Sequence, residues 1–346
     1  RQVGVVDCPR VPTDVDPAAV AALLVQLAMT GAVLHAPALP ERVTELIAPE
    51  LRGLLAVPAV ETDPLAREAR SVRQRRAALR GHASALALPG LAGTTFPELA
   101  RLPAVSAILV TRRPDHLPAA LQMIIEQSYP ELELVLCPHG VEVPVAVRKL
   151  LARCGRPYEI VPVPGTASFG EALGAATRRA GGSLVTKFDD DDSYAVDHVW
   201  DLVLARHYSG ADLVGKGSEF VYLEPLDVTV RRPSGAAETD AQLVAGGTML
   251  IARGDLEAVG GWRPVPRSAD LGLLDRVRRH GGTIYRTHPL GYVYHRRPAG
   301  HTWDAGQGYF LDTAYARWPG LPAEVLGGAG RPPRPRGPAR AEAESG

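Results

Sequence analysis

Positive charge in this sequence is almost never lysine: Lys149, Lys187 and Lys216 are the whole set, and arginine supplies the rest. Neither sign is in excess, since 38 basic and 38 acidic side chains cancel. A nucleic-acid partner needs a basic footprint, so none is expected. Cysteine is scarce and odd in number (Cys8, Cys137 and Cys154), without CxxC or His-rich spacing. That argues against a disulfide framework and a zinc site, and it fits a reducing cytoplasm. Long hydrophobic runs are missing too. The longest apolar stretch, residues 18–29, contains Gln26 and falls short of the ~20 residues that cross a bilayer. It reads as an amphipathic helix, and the chain shows no charged-then-apolar leader pattern. No transmembrane segment is expected, and peripheral contact with a membrane is compatible with that.

What is present suffices for folded domains. Apolar residues make up 46% of the 346, an ordinary share for a globular protein, and the length suits roughly two domains of ~150 residues. Residues 3–6 and 32–36 read as strands, and 17–30, 41–55 and an Arg-rich 66–83 as helices. Residues 1–95 are therefore expected to form a small α/β accessory domain, a scaffolding or acceptor-presenting module with no catalytic side chain. The Gly-, Pro- and Thr-rich stretch 90–103 marks the boundary. A regular alternation comes next, with strands at 105–110, 132–137, 158–163 and 183–188. The helices between them cover 115–127, 143–152 and a segment opened by Ser168. Ser168 and Glu171 form a capping box, and Gly181-Gly182 ends that helix. Strands alternating with helices of this length imply an α/β fold with a doubly wound, mostly parallel sheet. Further on, 196–208 and 269–280 read as helices, the latter capped by Ser268. Residues 211–215, 219–223, 227–232, 249–252, 283–286 and 291–294 read as strands. The main domain is placed at 96–320. The Pro-, Gly- and Arg-rich end, 321–346, is read as a disordered tail.

One stretch carries chemistry: Lys187-Phe188-Asp189-Asp190-Asp191-Asp192. Four adjacent carboxylates repel one another and need something positive nearby. The preceding residues read as a buried strand, so the run sits where open α/β sheets bind ligands. A divalent cation with oxygen ligands, bringing a phosphorylated substrate, is one counter-charge. The plain alternative is a solvated acidic turn that starts the next helix.

Set in order along residues 103–310, four features resemble the family 2 glycosyltransferases. They are the opening βα unit ending Gln127-Ser128-Tyr129-Pro130, the segment Ala172 to Asp192, the turn Val259-Gly260-Gly261-Trp262, and Ser268-Ala269-Asp270-Leu271 with Arg276 and Gly281. The resemblance implies a GT-A fold and hexosyltransferase-like, inverting transfer from a nucleoside-diphosphate sugar with Mn2+ or Mg2+. The acceptor would be a carbohydrate, a lipid-linked or a small molecule. Asp189 and Asp191 fall on the DXD carboxylates, Asp191 for the metal and Asp189 for ribose or metal, and Asp190 lies on the donor side. Asp270 is the candidate general base. Thr111, Arg112, Arg113 and Lys187 are candidate donor contacts, as is Lys216 for phosphate, with plain solvation as the alternative. The family's nucleobase aspartate is replaced here by Cys137-Pro138-His139-Gly140, which makes His139 the substitute, and Ala269 replaces the first acid of an acidic pair. His295 is a further metal or phosphate candidate, or a structural histidine at a strand end. Gly246, Gly247 and Trp262 are placed on the acceptor side, and His301 and Trp303 in a loop that closes over the donor or simply packs. Two other functions compete. A nucleotidyltransferase would need a Gly-rich loop after the first strand, and residues 110–115 contain no glycine. A non-catalytic binding module on the same fold would explain Ala269 and the missing aspartate.

Overall fold

The computed structural model describes residues 4–11, 14–57, 62–84, 86, 102–297 and 306–327. In the N-terminal part, β1 (Val5–Asp7) leads through α1 (Pro17–Met29) to β2 (Val33–His35), and the two strands pair in parallel, Val5 opposite Val33. Asp16 caps α1, its carboxylate accepting from the Ala18 amide at 3.1 Å with Pro17 in the first turn. The single helix expected over 41–55 is two helices, α2 (Glu41–Thr44) and α3 (Pro49–Ala56), because Pro49 has no amide to continue the first. Then comes α4 (Pro64–His82), capped by Asp63.

The helix α4 belongs to two cores. Ala77 and Ala78 pack with Leu24, Leu34, Leu51 and Leu55 of the N-terminal part. Leu65 and Ala69 pack with Phe220, Leu290 and Val293, and Leu79 joins the main core. The first 95 residues therefore share their last described helix with the main part of the chain.

The main part has the expected alternation: β3 (Val105–Thr111), α5 (Leu117–Ile125), β4 (Leu132–Pro138), α6 (Val145–Arg153), β5 (Tyr158–Ile160), α7 (Phe169–Arg179) and β6 (Leu184–Phe188). Both halves of the capping box at Ser168 and Glu171 form. Next come β7 (Ser193–Tyr194), α8 (His198–Ser209), β8 (Leu213–Gly215), β9 (Phe220–Leu223), β10 (Val228–Arg231), β11 (Thr239–Asp240) and β12 (Leu250–Ala252). The described chain closes with α9 (Arg253–Ala258), α10 (Ala269–Arg279), β13 (Ile284–Arg286), β14 (Tyr292–Arg296), α11 (Gln307–Asp312) and β15 (Ala316–Pro319).

Eight strands form the large sheet in the order β11-β13-β8-β12-β6-β3-β4-β5. Only β12 and β11 run against the others. Every residue of β3 and β6 is buried, as strands covered on both faces must be. The chain runs outward from β3 to β4 and β5, then returns to β6 on the other side of β3. The order thus reverses between β3 and β6, and their carboxyl ends form the crevice where doubly wound sheets bind ligands. A five-stranded sheet, β15-β10-β9-β14-β7, stands beside that crevice. Among the described residues no helix is long and apolar enough to cross a membrane.

Two expectations need correcting. Ser268 makes no side-chain cap and sits at φ 58°, in the left-handed region, so α10 starts without one. The folded chain also continues past residue 321: Val325 is fully buried in a turn over Ala323–Leu326, packed against Leu290 and Val293. The rest of the expected tail, 328–346, lies outside the described residues.

A buried ion cluster joins α4 to α8. Arg76 donates to Asp201 at 2.8 Å and to Asp197 at 2.8 Å, while Lys216 donates to Asp201 at 2.9 Å. Burial opposes the Asp201 charge, but Arg76 and Lys216 outweigh it and hold the carboxyl well below its usual range. Removing one member of a buried pair costs about 3–5 kcal/mol, because the partner's charge is left bare. Asp201→Asn is expected to lower Tm by roughly 6–20 °C. The stabilisation is complete above the usual carboxylate value of ~3.9 and is lost as pH falls below it. Melting curves between pH 2 and 7 should therefore converge for wild type and variant in acid; curves that stay parallel would exclude this origin.

Candidate active site

The acidic run leaves β6 at the crevice, and every one of its carboxylates is met by a polar or charged partner. Lys187, the last-but-one residue of β6, points its ammonium at Asp189 Oδ1. Asp190 is 7% exposed; Thr111 donates to it from the end of β3, and Arg113 reaches both of its oxygens. Asp191 lies 2.8 Å from Arg113 Nη2 and 3.9 Å from Arg297 Nη1, and its backbone carbonyl accepts from Arg297 at 3.0 Å. Asp192 is buried, accepting from the Tyr292 hydroxyl at 2.7 Å and from the His295 amide at 3.1 Å. The Asp189 amide donates to the Tyr194 hydroxyl at 2.9 Å. The short strand β7 makes this geometry possible: it pairs with β14, Tyr194 opposite Tyr292, and folds the acidic turn back against the His295 end of that strand.

The electrostatics reflect burial and neighbours. Burial works against a charged Lys187, but Asp189 and Asp270 outweigh it and raise its pKa above the usual lysine value. The magnitudes agree: two unit charges 4 Å apart attract by about 4 kcal/mol at an effective dielectric of ~20. That is of the order of one ion's desolvation, so the additional acid decides the sign. Burial raises Asp189, and Lys187 only partly offsets this because Asp191 repels it. Asp192 is pushed well up, by burial first and then by Asp191 and Asp189.

Opposite Asp189 lies the Gly246–Thr248 turn, with Thr248 Oγ1 donating to the Ala245 carbonyl at 2.8 Å. A Cβ on Gly247 would stand 2.6 Å from both Asp189 Oδ2 and the Tyr194 hydroxyl, and one on Gly246 would stand 2.0 Å from Asp270 Oδ2. At both glycines a side chain would have to displace a carboxylate. They bring half-buried Asp270, at the start of α10, to the same cleft as Asp189 and Lys187.

Other expected site residues lie elsewhere or are engaged. His139 is 1% exposed. Its Nδ1 accepts from Arg112 Nε at 3.1 Å and its Nε2 donates to the Ala167 carbonyl at 2.7 Å, so it offers no free edge to a nucleobase and instead holds Arg112. Arg112 also donates to the Gly165 carbonyl at 3.0 Å. Trp262 is away from the cleft: its indole donates to Thr177 Oγ1 at 3.0 Å, near the end of α7, and joins two core clusters. Since α7 runs against the strands, that end lies by their amino termini. Lys216 is fully buried on Asp201 and cannot meet a phosphate. His301 and Trp303 lie outside the described residues. Sequence reasoning misses Arg297, Tyr194 and Tyr292. Arg297 comes two residues after His295 in the strand-end segment, which was the available signal, and the tyrosines gave none.

Among the described residues, no three of His, Cys, Asp and Glu are placed to hold an ion together. Asp191 and Asp189, with side chains 16% and 31% exposed, are the two reachable carboxylates. A hard cation bound through one or two carboxylates plus phosphate oxygens and water suits such a pair. The ligand role expected of His295 does not fit, because its Nε2 shares a 2.7 Å hydrogen bond with Ser193 Oγ in a buried setting. A cavity of about 1360 Å³ shares none of these cleft residues. It lies between α4 and residues 233–238, and its walls pair Arg75 with Glu238 and Arg231 with Glu68 and Glu219. The converging charged groups, not the volume, mark the site.

No family model matches the sequence, and no curated protein matches it. Among solved structures, the mannosyltransferase PcManGT from Pyrobaculum calidifontis, in complex with GDP-Man and Mn2+, aligns at 16% identity. The alignment covers 63% of this chain and 67% of that one, with a TM-score of 0.45. S. aureus TarS aligns at 12% identity over 56% of this chain and 37% of its own, TM-score 0.43. GalNAc-T7 with UDP, GalNAc and Mn2+ aligns at 12% over 57% and 44%, TM-score 0.48. The chain thus spans less than half of the latter two. With every TM-score below 0.5, these likenesses do not bear on chemistry.

Burial first, then Arg297, depress the His295 pKa to about 4, although Asp191 pulls the other way. The imidazole is expected to stay neutral through pH 5, with its NMR shifts titrating near pH 4. A midpoint above 6 would mean that the ring is not enclosed as described.

Proposed function

We propose that this chain is an inverting glycosyltransferase of the family 2, GT-A kind. It would move a hexose-like sugar from a nucleoside diphosphate to an acceptor hydroxyl, in the cytoplasm, with Mn2+ or Mg2+. The acceptor class, carbohydrate, lipid-linked or small molecule, is left to a screen. The observation that supports the reading is the convergence of Asp189, Asp191, Asp270 and Lys187 at the sheet's switch point, beside the Gly246-Gly247 pair.

Asp191 and Asp189 would hold the cation, which when bound neutralises charge on the departing diphosphate. Arg113 and Arg297 add positive charge on the same side as Asp191. Inversion is a single displacement, so the acceptor hydroxyl loses its proton as it attacks from the face opposite the leaving group. Asp270 is the carboxylate assigned to take that proton. It stands across the Gly246-Gly247 turn from Asp189. A general base in this position typically contributes ~10²–10⁴-fold.

Thermal shift and calorimetry with UDP- and GDP-sugars, with and without Mn2+, test the donor half. Ligand binding to the native state raises Tm, and Asp191→Asn is expected to abolish the metal-dependent part. Donor binding indifferent to chelator would remove the cation from the reading. The acceptor half is tested by Asp270→Asn, which should bind donor normally while transfer falls at least ~10²-fold, about 2.7 kcal/mol of transition-state stabilisation. Gly246→Ala, which displaces the Asp270 carboxylate, should act in the same direction with little change in Tm. Donor binding with no turnover in the wild type would instead favour the non-catalytic module.

A further inference from the structure

Arg113 has an unusual position for a residue at a cation site, because it already occupies the carboxylate assigned to the metal. Its Nη2 lies 2.8 Å from Asp191 Oδ2 and also contacts Asp190 Oδ1, while its Nε donates to Asp190 Oδ2 at 3.2 Å. The two acids differ in kind. Asp190 is buried and fixed by Thr111, whose Oγ1 also accepts from the Arg113 amide at 2.8 Å. Asp191 is the more open, with its side chain 16% exposed. The nitrogen that meets Asp191 is thus also held by Asp190, whose second oxygen takes Nε.

We propose that Arg113 is an exchangeable counter-ion, a positioning residue that neutralises Asp191 when no donor is bound and turns to the donor's diphosphate when a divalent cation takes its place. The inference rests on the reading of this cleft as a nucleotide-sugar site. Fixed positive charge against Asp191 disfavours a bare cation by direct repulsion. A cation arriving with a diphosphate brings an anion for the displaced guanidinium, and bidentate phosphate contacts suit arginine. Asp190 keeps the guanidinium near while Asp191 is released. Arg297 faces Asp191 from the β14 side, and Lys187, His116 and His295 are further basic groups close to the run. Of these, only Arg113 bridges two of the acids through one nitrogen. Cation and diphosphate would thus bind as a unit, each weakly alone.

The test is calorimetric titration of Mn2+ into the whole chain, without nucleotide and with saturating UDP or GDP, for wild type, Arg113→Gln and Asp191→Asn. Wild type should bind bare Mn2+ weakly, with nucleotide tightening it at least tenfold. Arg113→Gln should bind bare Mn2+ at least about tenfold tighter than wild type, since one unit of repulsion at this range is worth that or more. Its gain from nucleotide should shrink, and Asp191→Asn should lose the site. Bare Mn2+ binding no tighter in Arg113→Gln than in wild type overturns the proposal. Arg113→Ala, which also removes the charge, provides a second measurement if the glutamine variant does not fold. A gain of at least about tenfold is expected there too, and none overturns the proposal equally. The bare-cation comparison involves no nucleotide, so loss of the nucleotide effect alone would count against the donor reading and leave the Arg113 result standing.

Discussion

Repulsion along Asp189-Asp190-Asp191-Asp192 is the constraint around which the crevice is built. Carboxylates about 5–6 Å apart repel by roughly 3 kcal/mol per pair at an effective dielectric of ~20. Four of them could not be held in a row without an arranged set of partners. The protein provides them from several directions: an ammonium from the same strand for Asp189, a hydroxyl from the end of β3 and a guanidinium from just beyond it for Asp190, that same guanidinium with Arg297 for Asp191, and a phenol with a backbone amide from β14 for Asp192. These partners come from separate parts of the sheet system, so the acidic turn ties those parts together. The site and the fold are held by the same contacts.

Strand order explains why the groups meet here. Because β6 returns on the far side of β3, the loops after these two strands leave the sheet side by side. Thr111 and Arg113 from one then meet Asp190 and Asp191 from the other. The antiparallel β12, paired to β6, carries the Gly246–Thr248 turn back toward Asp189. Two glycines of that turn thus lie directly against the Asp189 and Asp270 carboxylates.

Much of this was legible in the sequence, and the reasons are local. Strands β3 to β6 and their helices announce themselves by buried apolar runs, a capping box and paired glycines. The acidic run declares a charge problem wherever it sits, and Gly246, Gly247 and Asp270 lie beside it. Sequence spacing could not show that His139 faces inward to support Arg112, that Trp262 packs at the other end of α7, or that Lys216 lies under Asp201. Each of those is decided by contacts with residues far along the chain. Ser268 failed as a cap for the opposite reason. Residue type suggested the role, but its left-handed backbone, at φ 58°, goes with no side-chain cap. Arg297 offers only its place two residues after His295, because an arginine after a strand is ordinary until its neighbour is known.

The double allegiance of α4 affects how the chain is made. Synthesis releases the N-terminal strands and α4 early, and domains generally fold as they emerge. Here Leu65, Ala69 and the guanidinium of Arg76 have no partners until Asp197, Asp201, Leu290 and Val293 have left the ribosome. For most of that interval α4 presents an apolar and cationic flank to the surroundings. The step that buries it must wait for residues as late as Val293, so a segment made well before them is finished only with them.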